Sequence, residues 1–354
     1  MRKYFLDNIR WMCILLLIPF HTCMIYNNFG ENFYVKSDGV PLLTGFIQIT
    51  YPWFMPILFV IAGMSSCYAL TKRSPKEYIN ERKSKLLIPL ISGILLLVPI
   101  QTFYAEKFHN GYSGGYFHQY ILFFTKINDL TGYTGGLTPA HLWFILYLYV
   151  ISLISLPIII RYRKSNRKMP IDKLSLLKIL PMFLIFLIMK LILDISGKSL
   201  GEYFALFMLG YLVLSEDRVQ EKLEKNRWML FIALIFLTVL NLVFQNVLKC
   251  SYGTIYDIFE GFLTWIGILA ILGMGKHYLN FTNGITKYFT KASFPFYVFH
   301  QSFVVLVGYY ALKNISSISI QVVVIIVASF LLTILAYEIL KRISITRFLF
   351  GINK

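Results

Sequence analysis

Charge is what this chain has least of. Asp, Glu, Lys and Arg make up only 14% of its 354 residues, where a soluble chain carries about 25%. Acidic charge is scarcer still, with 17 carboxylates against 34 Lys and Arg, a formal balance of +17. Such an excess suggests a nucleic-acid binder, but the basic residues fall in alternate loops between apolar runs, which excludes one basic face. Cysteine is also sparse. Cys13, Cys23 and Cys67 lie inside apolar runs and Cys250 alone lies in a loop, so neither a disulfide framework nor a metal-ligand spacing is present. No small-residue cleavage site follows His21, and Arg10 sits at the mouth of the first apolar run, so the N-terminus does not read as a cleavable signal. Internal repeats, low-complexity segments and an appended soluble domain are all missing.

What is abundant is hydrophobicity, at 57% of residues with a mean hydropathy of +0.65. About 20 apolar residues span the hydrocarbon core of a bilayer. The runs at 9–27, 46–70, 86–104, 141–160, 177–195, 200–214, 228–246, 256–275, 293–312 and 318–340 predict ten spans of an all-α polytopic membrane protein. All of it forms a single transmembrane domain over residues 1–354. With the N-terminus inside, the inner segments hold 26 Lys and Arg and the outer segments hold 6. That bias predicts a multi-pass protein of the cell membrane with both termini cytoplasmic. The longest outer loop, 105–140, is rich in Gly, Tyr and His (His109, His118, Tyr133, Gly135), and Gln119 to Lys126 is apolar enough to be interfacial or re-entrant. A flexible cap and a binding element are both open readings of it.

The first apolar run carries two costly residues, Arg10 at its entrance and His21 well inside. Eleven residues at 3.6 per turn bring His21 about 20° past three full turns, on the face of Arg10 and about 16 Å further along. Asp7 lies within about 40° of that face and three residues before Arg10. Ionisable groups inside a membrane face an interior and pair with something there. Taken singly, His21 reads as a hydrogen-bonded interior histidine and Arg10 as a snorkelling end-of-helix cation. Sharing one stripe, they point to a ligand running between them. His300 lies at similar depth in the ninth run, nine residues past Lys291, so the two histidines can share one cavity. Arg82 and Lys85, spaced i,i+3 at the inner mouth of the third run, suit an anionic, phosphate-bearing ligand; plain inner-face charge and lipid headgroup contact are the alternatives. Lys190 and Asp194, four residues apart, are expected to pair with each other. Glu260, in the outer third of its run, is a candidate to orient a histidine or an acceptor hydroxyl. Trp53, Phe54, Trp143, Phe144 and Trp265 read as packing or interface aromatics.

Asp7-Asn8-Ile9-Arg10 with His21 resembles the Arg-x10-His signature of the acyltransferase-3 family of membrane O-acyltransferases. Pro52-Trp53-Phe54-Met55-Pro56 through Ala62-Gly63 is similar to that family's second-span motif, with Ala62 where Ser is more usual. Arg82-Lys83-Ser84-Lys85-Leu86-Leu87-Ile88-Pro89 is similar to its basic loop, with Lys85 where Arg is commoner. His141-Leu142-Trp143-Phe144 and Ser293-Phe294-Pro295-Phe296-Tyr297-Val298-Phe299-His300 match in order and spacing. The resemblance covers residues 6 to about 310, and the Pro-Trp-Phe-Met-Pro version looks most similar to the glucan-modifying branch.

The resemblance implies an enzyme that moves an acyl group, acetyl or succinyl, from cytoplasmic acyl-CoA to a hydroxyl of an extracytoplasmic carbohydrate or other envelope acceptor. Acyl-CoA is then a substrate, with no permanently bound cofactor and no metal. Arg10, Arg82 and Lys85 would hold the donor's phosphates, and Asp7 would brace Arg10. His21 would act as general base or transient acyl carrier, and His300 would complete the site. Glu260 and His141 fall on the acceptor side. Membrane lipid surrounds the chain, and nucleic acid is not a partner. Two other classes compete. A secondary transporter also buries histidines and cations but usually shows paired half-helices, which are missing from this sequence. A non-catalytic membrane module on the same frame would be expected to lose Arg10 or His21, and both are present.

Overall fold

A computed structural model describes residues 2–30, 32–125, 136–165 and 170–352. Lys126, Tyr133 and Gly135 of the long outer loop, Arg167 and Lys168 of a basic inner loop, and the C-terminal Lys354 lie outside the described residues. The described chain is all-α apart from one two-residue hairpin. Its helices are α1 Tyr4–Ile25, α2 Pro41–Leu70, α3 Pro75–His109, α4 Tyr116–Phe123, α5 Ala140–Lys164, α6 Leu176–Met189, α7 Leu200–Leu214, α8 Asp217–Lys225 and α9 Arg227–Asn246. They continue as α10 Thr254–Tyr278, α11 Gly284–Asn314, α12 Ile318–Leu340 and α13 Ser344–Leu349. Among the described residues, α1, α2, α3, α5, α9, α10 and α12 are long and apolar enough to cross a membrane. Helices α6 and α7 are apolar but shorter. Helix α11 has 31 residues, and His300-Gln301-Ser302 in its middle hold its hydropathy down. Each of the ten apolar runs therefore lies on a helix.

Three details differ from the sequence reading. The fifth run stops being helical at Met189, and Asp194–Ile195 (β1) instead pairs antiparallel with Lys198–Ser199 (β2). Ser196 and Gly197 at the hairpin tip take positive φ. Lys190 accordingly does not pair with Asp194; it meets Asp257 at 3.5 Å and Glu260 at 3.9 Å. The hairpin withdraws Asp194 from the helical i,i+4 position. In the long outer loop α3 runs on to His109, and α4 follows with Phe123 and Gln119 buried and Phe117 and Ile121 exposed. Thirdly, Lys83–Leu87 is a π-helical turn within α3. It precedes Pro89, whose ring would clash with the carbonyl of residue 85 in a regular α-turn.

The chain forms two compact units, and α1, α2, α3, α5 and α11 each contribute to both. The first comprises 1–13, 48–81 and 147–287. Its organising element is the proline-bearing part of α2. Pro52 has no N–H for the carbonyl of Gln48, and Pro56 has none for the carbonyl of Pro52. In an apolar medium both must find another donor. Asn241 Nδ2 of α9 donates to Gln48 O at 3.3 Å, and Thr264 Oγ1 of α10 donates to Pro52 O at 2.9 Å. Further along, α2 and α7 cross backbone to backbone through two glycines. A Cβ on Gly63 would lie 2.0 Å from Phe207 O, and one on Gly210 would lie 2.2 Å from Val60 O. Small residues at such crossings let helices approach closely.

The second unit comprises 14–47, 82–146 and 288–354. Between α1 and α2 the chain folds back: Ser37 N donates to Ile25 O and Val40 N to Tyr26 O. This returns Phe33, Tyr34 and Val35 to the interior, each at most 1% exposed. His109 at the end of α3 fixes the strap by donating from Nε2 to Phe33 O at 2.7 Å.

The glycine crossing yields a test. Gly63→Ala should cost about 1–3 kcal/mol, the usual range for overpacking, because the obstructing atom is backbone and cannot rotate away. Gly45→Ala on the same helix, where a Cβ meets nothing within 4 Å, should be neutral. Thermal unfolding in detergent would compare the two, and equal melting temperatures would contradict the crossing.

Candidate active site

Three histidines meet inside the second unit. His21 comes from α1, four residues before its end, so it lies nearer that end than the middle. His300 comes from the middle of α11, and His141 from the first turn of α5. The His21 and His300 rings stack with centroids 5.3 Å apart at 29°. His141 meets His300 edge-on at 5.3 Å and 89°. Phe33 covers the other side of His21, its ring 5.8 Å away and nearly parallel at 15°. The sequence reading put His21 and His300 in one cavity; the third ring and the Phe33 cover come from the fold.

The hydrogen bonds fix which nitrogen carries each proton, because a backbone carbonyl can only accept. His300 Nδ1 faces Tyr297 O at 2.8 Å and Phe296 O at 3.2 Å, so it holds the hydrogen. In the neutral ring Nε2 is then a bare lone pair, buried and without a partner among the described residues. His141 Nε2 donates to Val298 O at 3.0 Å, which leaves Nδ1 to accept from Gln101 Nε2 at 3.2 Å. The Tyr297 hydroxyl donates to the backbone carbonyl of His141 and ties α5 to α11. His21 Nδ1 is buried and unpartnered as well. Two stacked imidazoles thus present nitrogens that no group among the described residues satisfies, while His141 has none to offer. With both His141 nitrogens engaged, the trio cannot present three lone pairs to a metal ion.

The cation candidates are placed separately. In the first unit Arg10 Nη1 meets Asp7 Oδ1 at 3.1 Å, and Arg10 Nη2 donates to Ser65 Oγ at 2.7 Å. Asp7 also receives Arg2 at 2.8 Å, so one carboxylate sits between two guanidiniums. In the second unit Arg82 precedes the π-turn and Lys85 lies within it; both are half-buried, whereas Lys83 between them is exposed. Glu260 belongs to the first unit and lies beside Lys190 rather than beside a histidine of that unit. Near the surface of the same unit, burial raises the Glu224 carboxyl, but hydrogen bonds from His277 and Lys276 outweigh it and hold the group below the usual carboxylate range.

The sequence matches the family described as "Acyltransferase domain" over residues 3–338. The chain belongs to the acyltransferase-3 family. It is an integral membrane acyltransferase. "Glucans biosynthesis protein C" of Escherichia coli O139:H28 is 27% identical over 377 residues, covering 99% of this chain and 94% of that protein. The proteins of the same name from Salmonella typhi and Shigella dysenteriae serotype 1 are 26% and 27% identical, with the same coverage. No solved structure matches the chain. Within this acyltransferase, Gln101, Ser65 and Phe33 were not singled out in the sequence. Only a buried amide in an apolar span hinted at the first, and nothing local marked the other two.

The tautomers are directly measurable. Solid-state nitrogen NMR of histidine-labelled protein should show His141 protonated at Nε2 and His300 at Nδ1, assigned by loss of each signal in single His→Phe variants. The opposite tautomer at His300 would remove its free Nε2.

Proposed function

We propose that this acyltransferase moves an acyl group from cytoplasmic acyl-CoA to a hydroxyl of an extracytoplasmic glucan or related envelope carbohydrate. The observation that carries the reading is the pair of stacked imidazoles, His21 and His300, each with an unsatisfied buried nitrogen. The names of the glucan-biosynthesis relatives support the acceptor class. In the reaction a neutral imidazole nitrogen of His21 takes the proton of the acceptor hydroxyl as its oxygen attacks the thioester carbonyl. The carbon–sulfur bond then breaks, and the departing thiolate recovers the proton from the imidazolium. The products are an ester and free CoA. His300 stands against His21 with its own N–H already held by backbone carbonyls, which fixes the geometry of the pair. Arg10, Arg82 and Lys85 take the phosphates of the donor, with Asp7 bracing Arg10. Glu260 serves the acceptor side.

His21→Ala should leave expression and insertion intact and lower transfer by about 10²–10⁴-fold, the usual cost of losing a general base. Near-normal transfer by a well-folded variant would overturn the assignment. Arg10→Ala should weaken acyl-CoA binding much more than acceptor binding. Arg10→Lys should recover only part, because a forked donor becomes a point charge; calorimetric titration with acyl-CoA decides it.

Sidedness gives a further test. Both termini are assigned to the cytoplasm, with His21 about 16 Å beyond Arg10 along α1, roughly half of a ~30 Å hydrocarbon core. The charged head of CoA does not cross that core, but its thin arm reaches into it. In sealed vesicles of known orientation, acyl-CoA should be used only from the face bearing the termini, and acylated product should form only on the other face. Use of both substrates from one face would leave an acyltransferase but remove the through-membrane route.

A further inference from the structure

Gln101 is fully buried in α3, in the turn after the helix breaks at Leu97. Its two amide hydrogens are both engaged. One goes to His141 Nδ1 at 3.2 Å and the other to Ser302 Oγ at 2.9 Å; the Ser302 hydroxyl in turn donates to Leu97 O at 3.1 Å. The amide cannot be turned over. His141 Nε2 carries its hydrogen toward Val298 O, so Nδ1 must accept, and only the nitrogen side of Gln101 can face it. The amide oxygen is thereby fixed on the opposite side, buried and without any partner among the described residues. An unsatisfied buried acceptor of this kind costs about 1–3 kcal/mol, and water is scarce in an apolar span. The same condition is met by His21 Nδ1, His300 Nε2 and Gln301 Oε1, all in this unit. His141 links Gln101 to them: it accepts from the amide at 3.2 Å and packs edge-on against His300.

We propose that Gln101 is a binding residue whose amide oxygen receives an N–H or O–H of a substrate held in the unit that carries the histidine cluster. The assignment rests on the acyl-transfer reading. The oxygen is uncharged and lies in an apolar surrounding, so it suits a neutral hydrogen-bond donor. Two substrates carry one: the amides along the arm of the acyl-CoA, and the hydroxyls of the carbohydrate acceptor. Through one N–H the same side chain, with Val298 O on the other nitrogen, holds His141 in one tautomer and so holds the ring edge that packs on His300.

The test uses full-length protein in nanodiscs, with kcat and both KM values measured for wild type, Gln101→Leu, Gln101→Met and Ser302→Ala. Ser302→Ala removes one anchor but leaves the oxygen in place, and should keep both KM values within about twofold. Gln101→Leu should raise one KM by about 2- to 10-fold, the equivalent of one lost hydrogen bond. A rise in the acyl-CoA KM identifies the amide of the arm, and a rise in the acceptor KM identifies the hydroxyl. Gln101→Met fills nearly the same space and replaces Gln101→Leu if the latter fails to fold. Folded Gln101 variants with both KM values unchanged would overturn the proposal, as would equal damage from Ser302→Ala, which would make the amide a packing element only. Should wild type transfer no acyl group at all, the acyl-transfer reading falls. Direct titration with CoA and with a glucan oligosaccharide then decides the inference: weaker binding of either by Gln101→Leu sustains it, and unchanged or absent binding ends it.

Discussion

In a hydrocarbon surrounding a polar atom has no water to turn to, and every unpaired one is costly. Most of this acyltransferase obeys that constraint closely. The carbonyls that Pro52 and Pro56 release are met by Asn241 and Thr264. The hydroxyls of Ser152, Thr22 and Thr333 return to carbonyls of their own helices. Against that background the second unit stands out, because there the unsatisfied nitrogens of His21 and His300 and the unsatisfied oxygens of Gln101 and Gln301 accumulate. Elsewhere among the described residues, Arg227 Nε and Ser329 Oγ are buried without a partner as well, but they stand singly, whereas these four belong to two histidines and two glutamines of one unit.

The histidines differ in how they are held. His300 and His141 are each anchored by a backbone carbonyl, His300 with one nitrogen free and His141 with none. Among the described residues, rings hold His21: it stacks between Phe33 and His300 and meets Phe20 edge-on. Stacking leaves a ring free to exchange protons at either nitrogen, which suits the general-base role proposed for His21.

The ionic groups follow a different rule. Arg10 does not hang free in the apolar phase: Asp7 and Ser65 hold two of its nitrogens, and Asp7 is shared with Arg2. Sharing one carboxylate between two cations leaves net positive charge there. The π-turn at Lys83–Leu87 changes the angular step between Arg82 and Lys85 from that of an α-helix. The i,i+3 spacing read from the sequence therefore does not by itself align them.

Local chemistry was legible in the residues. Each apolar run found a helix, seven of them long and apolar enough to cross a membrane among the described residues, since burial in lipid requires about 20 apolar residues in a row. The Arg10 to His21 spacing and the five ordered motifs pointed to the family that the comparison establishes. Lys190 shows where such reading stops: its four-residue offset from Asp194 suggested a helical pair, but helix propagation ended at Met189 and a hairpin took over. The same limit hid Gln101. Its partners His141 and Ser302 lie 40 and 201 residues away, and no periodicity along the chain encodes contacts of that range. The sequence by itself determined the all-α membrane class, the helical segments and the ionisable residues inside them, because hydropathy and charge act over one or two turns. The tertiary structure alone decided which histidine nitrogens are free, which amide oxygen has no partner and which aromatic covers His21. Those depend on how distant helices pack, and packing is settled only when the whole chain has folded.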